Sequence, residues 1–109
     1  MRTPPLGQAV ASVDRARQLF NRAQEYYQRR SYRKAIILYE RARQLAGTPD
    51  SAKRACLYNI GMANLKLRRF ATAIIYFETF LQSPGITEKD RADAQRRLSE
   101  AKRGAGVQL

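Results

Sequence analysis

The sequence predicts an all-α protein built from two helical hairpins and a fifth, closing helix. Apolar residues recur at intervals of three and four in Leu57–Asn64 and again in Phe70–Leu81, which is the spacing of one helix face. The same pattern occurs earlier in the chain, from Leu19 onward. Two stretches are typical of helix starts: Thr48–Asp50 has a proline in its first turn, and Thr87–Asp90 matches a capping box.

The internal repeat pairs residues of similar size. When the chain is aligned with itself at one constant offset, Leu19 falls on Leu57, Ala23 on Gly61, Tyr32 on Phe70, Ala35 on Ala73 and Tyr39 on Phe77. Small residues such as Gly61 and Ala73 allow two helix backbones to come close, so each half is expected to close into a hairpin. The last segment has only a thin apolar stripe, which predicts a helix that covers the open end of a stack.

The expected boundaries follow from caps and breakers. The chain is predicted to have a flexible tail at 1–11, a helical domain at 12–103 and a second tail at 104–109. Pro4 and Pro5 oppose a helix at the start of the chain. The five helices are expected at about 12–29, 32–46, 49–67, 71–82 and 88–103. Ser31 is expected to cap the second helix, and Gly47 to follow its end.

The motif L-x-x-I-G-x-A, followed by F-x-x-A-x-x-x-F, resembles the tetratricopeptide repeat, whose usual period is about 34 residues. The resemblance covers roughly Asp14 to Arg103 and is closer in the second hairpin. The chain departs from the family at Arg22 and Ala23, at the leucines that replace an opening aromatic residue, and in its longer repeat. The resemblance implies a right-handed α-α superhelix of two hairpins plus a capping helix. It also implies a scaffold or adaptor that binds other proteins.

In this family the first helix of each hairpin lines a concave groove. The resemblance assigns the groove to Arg17, Phe20, Gln24, Tyr27, Tyr58, Asn59, Met62, Lys66 and Arg97. Asn59 and Arg97 match two residues of the carboxylate clamp of chaperone-binding members. Phe20 and Asp93 stand where that clamp needs lysine, so binding of chaperone tails is not expected. The aromatic groove instead predicts a peptide or protein segment with an apolar anchor.

The charge of the chain is strongly positive and favours acidic partners. There are 21 lysines and arginines against nine acidic residues, a formal net charge of +12. Many cations fall in the turns within the two hairpins and form a predicted basic edge: Arg29, Arg30, Arg33, Lys34, Arg68 and Arg69. This edge is compatible with a solvated surface, with an acidic protein or with nucleic acid. Tyr32 and Phe70 occupy core positions of the repeat, which argues against the stacking of bases on them.

A second apolar feature lies on the outer helices. Ile37 and Ile75 occupy equivalent places in the two copies of the repeat, where the family commonly has a polar residue. The pair predicts a strip that is covered by the N-terminal tail or by a second copy of the chain.

Other function classes have little support in the sequence. The chain has no histidine and one cysteine, Cys56, which is expected to be a buried structural thiol. No metal-ligand spacing and no glycine-rich phosphate loop occur, so neither an enzyme nor a cofactor is expected. No apolar run approaches the ~18 residues of a membrane span, and the N-terminus does not resemble a cleavable signal, so a cytoplasmic location is expected.

These observations favour a non-catalytic protein-interaction module that binds a partner segment in its groove. Two alternatives stay open: a basic helical protein that binds nucleic acid, and a structural homo-oligomer.

Overall fold

The computed structural model describes residues 6–107, and the side chains of residues 11–107. These residues form the five helices α1 (Leu6–Gln28), α2 (Tyr32–Gln44), α3 (Asp50–Lys66), α4 (Phe70–Leu81) and α5 (Glu88–Gly104), and no strand occurs among them. The predicted all-α fold is therefore confirmed. None of the helices in this part of the chain combines the length and the apolar character needed to cross a lipid bilayer.

The helices are divided between two compact units, Met1–Cys56 and Leu57–Leu109. In the first unit α1 packs against α2, and the first turns of α3 complete it. In the second unit the rest of α3 packs against α4, and α4 packs against α5. Both predicted hairpins are thus present as helix pairs.

The core of the first unit depends on small residues that let α1 and α2 approach. Ala23 on α1 and Ala35 on α2 have no exposed surface, and Leu19 and Ala42 are also buried. Tyr39 is the largest buried side chain of this unit, and its hydroxyl donates a hydrogen bond to Gln24. A buried phenol needs such an acceptor, because an unpaired buried hydroxyl would cost about 1–3 kcal/mol.

The core of the second unit places aromatic rings directly on glycines. A side chain at Gly61 would have its Cβ 2.8 Å from the Phe77 ring, so α3 and α4 touch where the sequence predicts a close approach. Gly104 is equally close to Phe70: a Cβ there would lie 2.4 Å from the ring. The glycine that ends α5 is therefore a packing residue as well as a stop signal.

The internal repeat is visible in the backbone of the two turns that join paired helices. Arg30 and Arg68 both have left-handed backbone angles, with φ of 63° and 60°. Arg30 N donates to the Tyr27 carbonyl at 2.9 Å, and Arg68 N donates to the Leu65 carbonyl at 3.0 Å. The residues that follow them also have matching angles, with φ and ψ of −87° and 66° at Ser31 and −91° and 71° at Arg69. Each hairpin thus has the same turn.

Three local expectations were wrong. The first helix begins at Leu6 rather than at Ser12, because Gly7 is the only strong helix breaker between them and costs only about 1 kcal/mol. Ser31 makes no side-chain cap hydrogen bond, since its ψ of 66° lies outside the extended region of a capping residue. The stretch Thr48–Asp50 leads into α3 as predicted, but Thr48, the residue expected to cap that helix, instead donates its hydroxyl to the Ala42 carbonyl at the end of α2, at 2.9 Å.

Other boundary expectations hold. The Thr87 side chain accepts a hydrogen bond from the Asp90 backbone N–H at 3.1 Å, so the predicted cap of α5 is present. Gly47 lies just after α2 and has a φ of 81°, and Gly85 has the same angle in the equivalent loop, with a φ of 82°. Apart from the start of α1, the observed helix ends lie close to the expected ones.

Candidate functional site

A pocket of about 310 Å³ opens in the first unit between α1, the α2–α3 loop and the start of α3. We call it the groove pocket. Its walls are Val13, Ala16, Arg17, Phe20, Ala42, Thr48, Pro49, Ser51, Ala52, Ala55 and Cys56. Two of these residues, Arg17 and Phe20, belong to the groove that the sequence predicts.

The pocket exists because small side chains meet where helices diverge. Alanines on α1, α2 and α3 line it, and no large side chain of the described residues fills the space between them. Thr48 is buried, with 5% of its surface exposed, yet its hydroxyl is satisfied by the Ala42 carbonyl. The wall at this point is thus effectively apolar, and the pocket is preformed.

Phe20 is held in place at one side of the pocket. It is half-buried, and its ring meets the edge of Tyr39 with centroids 5.5 Å apart and planes at 66°. Tyr39 is itself fixed by its hydrogen bond to Gln24. A ring that is fixed before binding loses little conformational entropy when a ligand packs on it.

Arg17 supplies charge at the edge of the pocket. Its side chain is 70% exposed and lies 4.0 Å from the Asp14 carboxylate, which is 57% exposed. An exposed ion pair of this kind contributes at most about 1 kcal/mol. The guanidinium can therefore exchange Asp14 for a carboxylate of a ligand.

Cys56 forms part of the apolar wall rather than a reactive site. Only 1% of its surface is exposed, and burial raises the pKa of its thiol to about 11. The thiol is thus protonated at neutral pH and is a poor nucleophile. The expected buried structural role of Cys56 is confirmed.

Tyr58, one of the predicted groove residues, is engaged within the second unit. Its ring meets the edges of Phe77 and Phe80 at centroid distances of 5.7 and 5.5 Å, and its hydroxyl donates to Asp93. Burial raises the pKa of the phenol to about 12, and the Arg97 guanidinium nearby opposes part of this shift. Replacing Tyr58 by alanine would therefore disturb the core as well as any groove.

The remaining predicted groove residues have mixed environments. Tyr27 is half-buried and meets the edge of Tyr32 at 5.2 Å, and Met62 packs against the core of the second unit. Asn59 is half-buried, while Lys66 is exposed at the end of α3. The structure thus brings Arg17 together with Phe20, and Tyr58 together with Arg97. That these two sets line one groove stays a prediction of the resemblance.

The predicted basic edge is exposed at all six positions. Two of its members, Arg30 and Arg68, have the left-handed backbone described above. The Arg68 guanidinium also lies over the ring of Phe70, 5.2 Å from its centre. Tyr32 and Phe70 are half-buried. The repeat pattern places both rings in the core, and the structure covers them only in part.

The two isoleucines singled out in the sequence are both exposed, Ile37 by 52% and Ile75 by 61%. Nothing in the described part of the chain covers them to the extent expected of a core residue. Their role as an oligomer strip stays a prediction.

Sequence reasoning missed most of the groove pocket. The alanines at the start of α3 and the Thr48–Pro49 loop were the only signal, a run of small residues before the apolar face. Small residues do not reveal whether a neighbour fills the space beside them, so a pocket cannot be distinguished from a close helix contact by composition.

The chain was compared with models of known protein families, with curated proteins and with solved structures, and no match was found in any of the three comparisons. Membership of the tetratricopeptide family therefore stays a prediction from the repeat motif.

Proposed function

We propose that the protein is a non-catalytic binding module that takes an acidic segment of another protein, with one apolar side chain of that segment seated in the groove pocket. The pocket itself is the observation that carries the proposal. It is preformed, its walls are largely apolar, and an exposed cation, Arg17, stands at its edge. The resemblance to tetratricopeptide repeats favours the same class of function.

Apolar burial is the main source of affinity in this proposal. Full burial of a leucine or phenylalanine side chain contributes roughly 1.5–3 kcal/mol. The pocket offers Phe20 and several alanine methyl groups as contacts, and it needs no rearrangement to do so. A partner segment would gain further affinity from its neighbouring residues along α1 and α3.

Charge determines which apolar segments would bind. The first unit contains twelve basic and four acidic residues, a net +8 of the +12 that the whole chain has. An acidic ligand is therefore attracted to this unit, and a basic one is repelled. Arg17 would then pair with a carboxylate close to the apolar anchor.

The experiment is a selection from a displayed random-peptide library against the intact protein, followed by titration of the selected peptides. Ala52→Leu fills the pocket from the wall on α3 and should weaken binding by about tenfold or more, because it occupies the volume that the anchor needs. Ala92→Leu adds the same atoms to an exposed position on α5 and is the matched control. Arg17→Gln should weaken binding less and reduce its dependence on salt.

Melting curves must show that both leucine variants are folded. Equal affinity of the parent and the folded Ala52→Leu protein for the selected peptides would contradict the proposal. Selection of peptides without acidic residues would contradict the proposed charge preference.

A further inference from the structure

A second recess lies on the first hairpin, between α1 and α2, and shares no residue with the groove pocket. It has a volume of about 160 Å³ and is lined by Arg22, Tyr26, Lys34, Ile37 and Leu38. We call it the outer site. Two of its residues are cations, one is a phenol, and two are aliphatic, including the exposed Ile37.

Both cations are held against the ring of Tyr26. The Arg22 guanidinium lies 5.9 Å from the ring centre and the Lys34 ammonium 5.6 Å from it. The Arg22 guanidinium beside the phenol also lowers the pKa of Tyr26. Among residues 11–107, neither cation forms a salt bridge. The outer site thus presents two positioned cations and a phenolic proton, and its lining contains no acid.

The repeat does not require this cluster. The equivalents of Arg22, Tyr26 and Lys34 in the second hairpin are Ile60, Asn64 and Thr72. Ile60 and Asn64 are buried, with 0% and 2% of their surface exposed. The positions of Arg22 and Tyr26 are therefore covered in the second hairpin and open in the first, while Lys34 and Thr72 are both exposed. In the first hairpin, the cations Arg22 and Lys34 therefore lie beside the exposed side chain of Ile37.

We infer that the outer site docks an acidic segment of a partner protein in which a carboxylate stands next to an apolar side chain. The carboxylate accepts hydrogen bonds from Arg22, Lys34 and the Tyr26 hydroxyl. The apolar neighbour packs on Ile37 and Leu38, which accounts for an isoleucine that is otherwise half exposed to water. Charge-assisted hydrogen bonds of this type are about twice as strong as neutral ones.

Other occupants fit the outer site less well. A second copy of the chain that docked through this same face would bring the same cations against each other, and residues 1–5 contain an arginine but no acid. A nucleic-acid base would have to displace the cations from the Tyr26 ring in order to stack on it. A membrane would favour an isoleucine on a protrusion, whereas Ile37 is in the wall of a recess.

The test is a titration followed by amide chemical shifts of the isotope-labelled intact protein. The probe is a peptide of about ten residues with glutamates on both sides of one leucine, in a glycine–serine background. At low salt, shifts are expected at Tyr26, Lys34 and Ile37. The double variant Arg22→Gln with Lys34→Gln should bind the peptide about tenfold more weakly, and the parent should lose affinity as salt rises.

Two matched controls separate charge from apolar contact. A peptide with serine in place of leucine should bind the parent protein more weakly. The leucine peptide should likewise bind the Ile37→Ser variant more weakly than the parent protein. Ile75→Ser removes a similarly exposed isoleucine at the equivalent repeat position and should leave affinity unchanged. None of these variants touches the groove pocket, so the inference and the proposed function can fail separately.

Three outcomes would overturn the inference. The first is equal affinity of the parent and the folded double variant for the peptide. The second is a set of shifts confined to Phe20, Ala52 and Ala55, which would place the peptide in the groove pocket. The third is binding of anionic lipid vesicles or of an oligonucleotide through Arg22 and Lys34 with no binding of the peptide.

Discussion

Gly104 shows how one missing side chain determines local packing. It lies at the end of α5 in a helical conformation, so it is not needed for an unusual backbone angle. Its role is steric, because the Phe70 ring occupies the space in which a Cβ would lie. Gly61 has the same relation to Phe77. Both glycines therefore stabilise the protein through the close contact that they permit.

Gly104→Ala should lower the free energy of unfolding by about 1–3 kcal/mol, since the new methyl group overpacks against Phe70. Helix propensity alone predicts the opposite sign, because alanine is the better helix former by about 1 kcal/mol. Denaturant unfolding of the two proteins decides between these effects. In a Phe70→Leu background the penalty should shrink, and an unchanged penalty would exclude the ring as its cause.

Arg30→Gly should make the protein more stable. Arg30 has a φ of 63°, a conformation that costs a residue with a side chain on the order of 1 kcal/mol and costs glycine almost nothing. The melting temperature should rise by roughly 4–8 °C per kcal/mol gained. Arg29→Gly removes the same charge from the neighbouring residue, which is not left-handed, and should give no such gain. A melting temperature at or below that of the parent would contradict a strained turn.

At the scale of elements, α3 and α5 are joined by a polar contact inside the second unit. The Tyr58 hydroxyl on α3 donates to the Asp93 carboxylate on α5, and Arg96 donates to the same carboxylate at 3.0 Å. These hydrogen bonds hold the pKa of Asp93 below its ordinary value, and the bond from Tyr58 has the larger effect. Closure of the second unit is thus coupled to the ionisation of one acid.

Tyr58→Phe should raise the pKa of Asp93 towards its ordinary value. A depressed folded-state pKa gives stability that is present above the unfolded pKa and is lost as pH falls through the folded one. The stability difference between parent and Tyr58→Phe should therefore be largest near neutral pH and diminish in acid. Carboxyl chemical shifts of Asp93 measure the change in pKa, and melting curves from neutral to strongly acidic solution measure the change in stability.

Tyr32→Phe is the control for this prediction, because it removes the same hydroxyl from a half-buried tyrosine of the other unit. Identical titration of Asp93 in the parent and in Tyr58→Phe would show that the hydrogen bond does not control the carboxyl group.

The elements themselves could largely be predicted from the sequence. Helical spacing, proline and glycine positions and the Thr87 cap predict five helices with ends close to the observed ones. The start of α1 could not be predicted. Gly7 and the two prolines before it are residues that oppose helices, and local propensity therefore places the helix start after them. The role of Gly104 also could not be predicted, since contact with Phe70 depends on residues far apart in the chain.

At the scale of the whole molecule, the repeat explains the fold better than it explains the sites. Equivalent positions share the same turn, and the edge contact of Phe20 with Tyr39 recurs as that of Tyr58 with Phe77. Equivalent positions can also differ in exposure: Arg22 is exposed in the first hairpin, whereas its equivalent Ile60 is buried in the second. Both proposed binding surfaces lie in the first unit, which also has two thirds of the net charge.

Sequence reasoning predicted Arg17 and Phe20 as site residues because the family places a groove on α1. It could not predict that Tyr58 is engaged with Phe77, Phe80 and Asp93, since helical spacing does not indicate whether a half-apolar side chain faces a neighbouring helix or solvent. Most of the groove pocket walls were missed because small residues do not reveal whether a neighbour fills the space beside them.

The most direct test of the central claim is a set of intermolecular nuclear Overhauser contacts between the intact protein and a library-selected acidic peptide. The proposed function predicts contacts from the apolar anchor of the peptide to the Phe20 ring and to the methyl groups of Ala52 and Ala55. Loss of these contacts in the folded Ala52→Leu variant would confirm that the anchor occupies the groove pocket. An anchor that contacts none of these residues, while the peptide still binds, would contradict the account and move the site away from the groove pocket.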